Sequence, residues 1–549
     1  MSIYIEMKPI PLSDLSNNLG VPKKVPAGLH SILANINPEE SNSDNQYVGE
    51  RIKPGKNKIY LGQAAFDPES TTRYPFWLPV ELLSSHLFIG GAIGSGKTTV
   101  LFRLIAGALK CYGTVIVCEA KGGVNGAKEG ASFSDLSDYL NRKDQSIRYY
   151  RWPRGNCYFN PLANLVNRQD RRDFFSMIAQ LIIDSNGLDG ETASVVQNAA
   201  HISECLLNLI QEFTHKPPTI RILLSFLTYP EKVQQCISEA KEELKSRQKN
   251  NSDRSDKLLT YIETQLTMSN FFFLKEPQLV LTRRGVQLFR DALNHEDLME
   301  YSEERSDLKL LDLNDILFNR SLVVLSQPIS KSSSLIIGPL FLDNLLFRIL
   351  EFGPNNQHAE KPREKVLAIL DETHRLPVGS LGLAGDFLRE YDVGLVEVAP
   401  TIPVNQSRWE QNKHIYQTLL SLSPGIPELT SLIHDRLPNQ SISPLTSRMH
   451  RNNTGVAKLE IERREDYNFL LGTENPGIAK RSLEITGVFT GILQSALLQE
   501  NRKVFWIDFE DEILGNIKNL LKHALLSNAT SNDQNIVDYA LGLSEYNSA

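Results

Sequence analysis

Ser85-His-Leu-Phe-Ile-Gly-Gly-Ala-Ile-Gly-Ser-Gly-Lys-Thr-Thr99 decides how this chain folds. Its centre, Gly91-Ala-Ile-Gly94-Ser95-Gly96-Lys97-Thr98, fits the phosphate-loop pattern G-x-x-x-x-G-K-[ST] without a mismatch. His86-Leu-Phe-Ile89 reads as a short apolar strand entering it. Val100-Leu-Phe-Arg-Leu-Ile-Ala-Gly-Ala-Leu109 reads as a helix leaving it, with Leu101, Leu104, Ile105 and Ala108 on one face. That is the strand–loop–helix setting the motif needs. The glycines let backbone N–H groups turn onto phosphate oxygens. The helix N-terminus adds the positive end of its dipole. Gly91, Gly94, Ser95, Gly96, Lys97, Thr98 and Thr99 are therefore the expected nucleotide-binding residues. Lys97 reaches the β- and γ-phosphates of ATP, and the Thr98 hydroxyl holds Mg²⁺.

A chain of 549 residues is too long for one simple domain. Its net charge of −7 carries no global basic signature, which argues against coating nucleic acid with the whole surface. A local basic channel remains open to it. The five cysteines, Cys111, Cys118, Cys157, Cys205 and Cys236, show no CxxC or metal spacing. They read as reduced thiols of a cytoplasmic protein. The first residues lack the basic and apolar regions of a secretory signal, and no stretch approaches the apolar length of a membrane span. No membrane association is expected.

Residues 1 to about 56 carry little periodic apolar pattern. Lys58-Ile-Tyr-Leu61 and Phe76-Trp-Leu-Pro-Val80 look like short strands. They read either as a small N-terminal β element packed on the core or as an arm with two edge strands. Thr114-Val-Ile-Val-Cys-Glu-Ala-Lys-Gly-Gly123 is a buried strand running into a glycine-rich loop. Strand ends line the ligand crevice of open parallel sheets, so Glu119 and Lys121 fall near the nucleotide or a partner surface. Tyr149-Tyr-Arg-Trp-Pro-Arg-Gly-Asn-Cys-Tyr-Phe-Asn-Pro-Leu162 alternates basic and aromatic residues, a mix that suits a nucleic-acid strand. The alternative is an ordinary strand and a turn ended by Pro161. Lys121, Arg151 and Arg154 are the candidate DNA contacts.

Residues 165–300 turn helical in period. Strand character returns at Leu308-Lys-Leu-Leu-Asp-Leu and Ser321-Leu-Val-Val-Leu-Ser-Gln327. Then comes Lys365-Val-Leu-Ala-Ile-Leu-Asp371-Glu372, an apolar run ending in two acids, the form of a Walker B strand. Asp371 would hold the Mg²⁺ shell, and Glu372 would polarise the attacking water as general base. Val504-Phe-Trp-Ile-Asp508-Phe-Glu-Asp511 competes, but its acids are spread. The interval from Lys97 to Asp371 exceeds a compact nucleotide domain of roughly 100–200 residues. The chain thus reads as one α/β core interrupted by a helical insertion. The parts are an arm at 1–82, core at 83–164, insertion at 165–300, core at 301–500 and a helical C-terminal tail at 501–549.

In this order the motifs resemble the HerA/FtsK superfamily of P-loop ATPases, including TraG-type coupling proteins. The matching residues are Ser85 to Thr99, the strand ending Glu119-Ala-Lys121-Gly, and Phe159-Asn-Pro-Leu162. Residues 313–326, the Asp371-Glu372 strand and Phe387-Leu-Arg-Glu-Tyr-Asp-Val-Gly-Leu-Val396 complete the set. The resemblance implies a RecA-like core, a homo-hexameric ring with ATP at subunit interfaces, and translocation on duplex DNA. It places the arginine that completes the neighbouring site at Arg389, with Arg375 as the other candidate. Where family members carry a Gln sensor, this chain has Pro400, which brings neither side-chain polarity nor an N–H. Thr401 or Asn405 would have to substitute. The absence of N-terminal membrane helices points towards HerA-like members, some of which act in anti-phage defence with a nuclease or NAD-consuming effector. Two further readings stand beside a DNA motor: an ATP-dependent scaffold that recruits an effector without translocating, and a secretion-type motor acting on protein.

Overall fold

Runs such as Thr114-Val-Ile-Val-Cys-Glu119 and Val366-Leu-Ala-Ile-Leu-Asp371 are apolar on both faces, which suits a parallel sheet covered on both sides. The computed structural model shows such a sheet. It describes residues 58–65, 74–92, 95–119, 133–165, 167–214, 217–246, 252–326, 336–354, 361–371, 388–401, 413–422, 428–429, 432–433, 448–451, 457–460, 490–495, 504–509, 517–526 and 529–543.

The chain opens with β1 (Lys58–Ala65), β2 (Tyr74–Pro79) and the short helix α1 (Val80–Ser84). Next come β3 (Leu87–Gly90), α2 (Lys97–Cys111), β4 (Thr114–Glu119), α3 (Ser134–Lys143), β5 (Arg148–Trp152) and β6 (Cys157–Tyr158). A helical stretch follows: α4 (Arg168–Asn186), α5 (Gly190–Phe213), α6 (Ile220–Thr228), α7 (Pro230–Ser246), α8 (Ser252–Met268), α9 (Val280–Leu293) and α10 (Glu296–Tyr301). The α/β pattern resumes with β7 (Lys309–Leu310), α11 (Leu313–Phe318), β8 (Ser321–Ser326), α12 (Ile337–Leu350), β9 (Val366–Asp371), β10 (Val393–Ala399) and β11 (Thr418–Leu422). Last are β12 (Arg448–Arg451), β13 (Ala457–Glu460), β14 (Thr490–Ser495), β15 (Val504–Asp508), α13 (Ile517–Ala524) and α14 (Ser531–Ala540).

Eleven strands form one sheet in the order β2-β1-β15-β14-β11-β3-β10-β9-β4-β8-β5. From β11 to β5 all seven are parallel. The fold is thus α/β with a RecA-like P-loop core. Each face has its own apolar layer. Leu87, Ile89, Val117, Ile369 and Val396 pack against α2 and the C-terminal helices, through Val100, Leu104, Leu521 and Val537. Phe88, Cys118, Leu370 and Leu395 pack on the other face with Phe174, Phe175, Ile178 and Phe341. Each fully buried side chain of this size contributes about 1.5–3 kcal/mol. The described residues between 168 and 301 are mainly helical, starting at the Asn167 cap, whose side chain accepts from the Asp170 N–H. Arg154 on Asp297, and the Trp152 indole N–H on the Tyr301 carbonyl at 2.9 Å, fasten this insertion to the core.

Of the two readings of the N-terminal strands, the edge-strand one fits: β1 and β2 are the outer strands of the main sheet. Pro75 and Pro79 sit in the terminal strand, where an unused N–H costs least. One expectation changes. The segment 501–549 is not a purely helical tail, because Val504–Asp508 pairs with β14 and β1 inside the same sheet. α13 and α14 then fold back over α2 and α3. Arg142 donates to the Leu525 carbonyl at 2.7 Å, and Lys143 pairs with Asp538. Among the described residues no helix is long and apolar enough to cross a membrane.

Candidate nucleotide-binding site

β3 delivers the phosphate loop to the C-terminal edge of the sheet. Gly90 stands beside Ala399 of β10 and Ser421 of β11, and the Gly91 N–H donates to the Ala399 carbonyl at 3.4 Å. A Cβ on Gly91 would lie 2.5 Å from the Ser95 Oγ and 2.9 Å from the Leu422 Cβ, so a side chain there would force the loop away from β11. Gly96 takes a left-handed φ of 83° and starts α2 without a side-chain cap. The first N–H groups of that helix are left for an anion. Lys97 curls back over the loop, its Nζ donating to the Gly91 and Ala92 carbonyls at 2.7 and 2.8 Å. The Ser95 hydroxyl is buried and has no hydrogen-bond partner among the described residues. Thr99 is half-buried in the first turn, and Gly94 lies outside the described residues.

Thr98 Oγ1 faces Asp371 Oδ2 at 3.5 Å. Asp371 is the last residue of β9, buried, and opposite Val398 of β10. Its side chain shares the α2 face of the sheet with Ile369. Glu119 ends the neighbouring strand β4 on the same face, fully buried and opposite Ser326. Two carboxylates therefore end adjacent strands beside the phosphate-loop helix. Asp508 is elsewhere: β11 and β14 intervene between β15 and β3, and Asp508 stands opposite Thr490 and Gln63. Glu372, Arg375, Lys121, Asn405 and Glu510 lie outside the described residues.

The remaining candidates separate from this cluster. Arg389 is exposed, in a short turn that precedes β10 at its N-terminal end. The length of β10, about 20 Å at ~3.3 Å per residue, parts it from its own phosphate loop. Arg151 is engaged inside the chain, its Nε on Ser326 Oγ and its NH1 on Ser134 Oγ, both at 3.1 Å. Arg154 is ion-paired through Nε to Asp297 at 2.5 Å. The aromatic residues around them are core: Trp152 and Phe159 are buried, with ring centroids 5.5 Å apart, and Tyr150 lies on the same face. The basic–aromatic block forms a strand and a turn, with Trp152 and Phe159 turned into the core. Pro400 is buried directly after Ala399, and Thr401 is exposed.

Two residues near the loop escaped the sequence reading. Glu397 is buried in β10 on the face opposite α2 and accepts a hydrogen bond from the Tyr416 hydroxyl at 2.5 Å. Its signal was a single acid inside the apolar run 393–399. His86, at a φ of 63°, accepts the Leu395 N–H on Nδ1 at 3.1 Å, which clips the start of β3 to β10.

No family model matches the sequence, and no curated protein matches it. Solved structures do resemble it. The unbound monoclinic form of the bacterial conjugative coupling protein TrwBdeltaN70 is 14% identical with a TM-score of 0.50, over 83% of this chain and 88% of that one. Its trigonal form with sulphate is 16% identical with a TM-score of 0.46, over 79% and 87%. VirB4 of Thermoanaerobacter pseudethanolicus is 14% identical with a TM-score of 0.36, over 69% and 87%. The first likeness establishes a shared fold: this chain is built on the same P-loop core as the coupling protein.

Proposed function

We propose that this chain is a HerA/FtsK-type ATPase that binds ATP with Mg²⁺ and works as a homo-hexameric ring on duplex DNA. The observation that carries the nucleotide reading is the convergence at the start of α2. There Lys97 lies on the loop carbonyls, and Thr98 and Asp371 face each other at 3.5 Å. That spacing lies within the span of two ligands of one Mg²⁺, each at ~2.0–2.1 Å from the ion. Gly91, Gly94, Ser95, Gly96 and Thr99 would cradle the phosphates, and Lys97 would answer their charge. Mg²⁺ bound there neutralises charge building on the phosphates during transfer. Glu372, next after Asp371, would take the proton of the attacking water.

Ring assembly follows from the resemblance and agrees with the position of Arg389. An exposed arginine remote from its own site serves catalysis only on a neighbour. Duplex DNA as substrate is supported by the fold shared with a conjugative coupling protein. A second reading has its own support. Arg151 and Arg154 are engaged within the chain, and the net charge is −7, which favours a ring that holds and activates an effector, such as a nuclease or NAD-consuming enzyme. ATP turnover measured with and without duplex DNA separates the two. Stimulation by DNA is expected for the motor, and an unchanged rate would favour the scaffold.

A further inference from the structure

A second polar site lies in the helical insertion. α4 and α5 form an open surface pocket of about 200 Å³ lined by Arg172, Ser176, Gln197, Ala200, His201 and Glu204. Helical spacing explains the convergence. Arg172 and Ser176 are four residues apart on α4, while Gln197, His201 and Glu204 rise along one face of α5. Arg172, Ser176 and Gln197 are exposed and make no side-chain hydrogen bond or ion pair with any described residue, so three polar groups from two helices face the pocket with their donors open to solvent.

The floor of the pocket is charged. Arg168 Nε stands 3.4 Å from Glu204 Oε1, with its guanidinium over the Tyr261 ring at 4.5 Å. His201 is flanked by oxygens on both sides: Nδ1 is 3.4 Å from Glu204 Oε2, and Nε2 is 2.9 Å from Gln265 Oε1. Oxygens at both nitrogens favour the imidazolium, which has a proton on each. Accordingly its pKa is raised, by the Cys205 sulphur and then by the Glu204 carboxylate, against its burial. Glu204 is matched by Arg168. The pocket is left with the charges of Arg172 and His201.

Size narrows the ligand. Drug-sized sites occupy roughly 300–1,000 Å³, so this pocket covers only a small group. A compact oxyanion is of that size, and a guanidinium with a hydroxyl and an amide supplies donors for phosphate oxygens, beside the charge of His201. We propose that this pocket binds a phosphate group, free or at the end of a small phosphomonoester, through the Arg172 guanidinium, with Ser176 and Gln197 as supporting donors and the charge of His201 beside it.

The test is hydrogen exchange of the full-length protein with millimolar inorganic phosphate, glycerol 3-phosphate or acetate. Reading exchange by peptide separates this site from the phosphate loop. Phosphate is expected to slow exchange within residues 168–204, and the stronger of the two phosphate ligands identifies the free or esterified source. Arg172→Gln should weaken that protection by about tenfold or more, and Arg172→Lys should keep part of it. Turnover of ATP should be unchanged in both variants. Three results would overturn the assignment: no phosphate-dependent protection in residues 168–204, equal protection in Arg172→Gln, or the same protection by acetate.

Discussion

Arg103, fully buried in the helix that follows the phosphate loop, donates its Nε to the Ala540 carbonyl at 2.7 Å. Its NH1 reaches the Leu61 and Phe509 carbonyls, both at 3.2 Å. One side chain thus joins α2 to the first strand, to the end of β15 and to the last helix. Arg103→Met keeps the length and leaves these buried carbonyls without their donor, at ~1 kcal/mol each. A loss of about 3 kcal/mol in urea unfolding is expected, with faster hydrogen exchange in residues 517–543. Parent-like protection of those helices would show that they are held by apolar contact alone.

Lys97→Ala removes the ammonium that rests on the Gly91 and Ala92 carbonyls. Nucleotide affinity should fall by at least tenfold, about 1.4 kcal/mol. Calorimetry with ATP and Mg²⁺ reads this directly. Unchanged affinity would remove the phosphate-loop assignment.

The phosphate loop was legible because its chemistry is local: glycines, a lysine and a threonine at fixed spacing. The acid at Asp371 was legible because an apolar run ends there, and the register of β9 brings it to Thr98. What stayed hidden depends on distant partners. Val504–Asp508 joins the sheet only through β14 and β1, which lie on either side of it. The alternation in Tyr149-Tyr-Arg-Trp152 that reads as a nucleic-acid surface follows the pleat of β5, which is buried on one face only. Tyr150 and Trp152 fall on the insertion face, and Tyr149 and Arg151 on the other. Glu397 needs Tyr416, on a different strand connection, before its burial makes sense.

The acids at the end of β9 should divide their labour. Glu372→Gln keeps size and hydrogen bonding, so ATP still binds while turnover falls by roughly 10²-fold or more. Asp371→Asn should also weaken the response to Mg²⁺, because Asp371 is the acid that faces Thr98. Asp508→Asn should leave turnover near the parent value, since β15 stands apart from the loop. Loss of turnover in Asp508→Asn alone would reverse the assignment.

Arg389 provides the test of the ring. Arg389→Ala and Glu372→Gln subunits should each be inactive by themselves. Mixed, they form interfaces that receive an intact glutamate from one side and an intact arginine from the other, so part of the activity returns. Mixtures that stay inactive, or an active monomer in light scattering with ATP, would argue that Arg389 serves the fold of its own subunit.

DNA binding must come from a local concentration of cations, because a chain of net charge −7 repels a polyanion at long range. The structure divides the three sequence candidates. Arg154 is ion-paired to Asp297, whose side chain is only 3% exposed, so Arg154→Ala strands a buried carboxylate between core and insertion. Its expected effect is a stability loss of about 1–3 kcal/mol, without a specific loss of DNA affinity. Arg151, tied to Ser326 and Ser134, should behave in the same direction. Lys121 comes two residues after Glu119, the last residue of β4, and six copies of such a lysine in a ring would make a strong field. Lys121→Glu should therefore weaken duplex binding at low salt while leaving thermal stability near the parent value. Phosphate contacts are sequence-independent and steeply weakened by salt, so binding should fade between low and moderate salt for any duplex sequence. Filter binding with the ATP-loaded protein measures all three variants. If Arg154→Ala loses DNA at unchanged stability, the ion pair with Asp297 opens on DNA binding and the basic turn is a contact after all. If the parent retains no duplex at low salt, the motor reading yields to the effector scaffold, and the role of Lys121 must be sought on a protein partner.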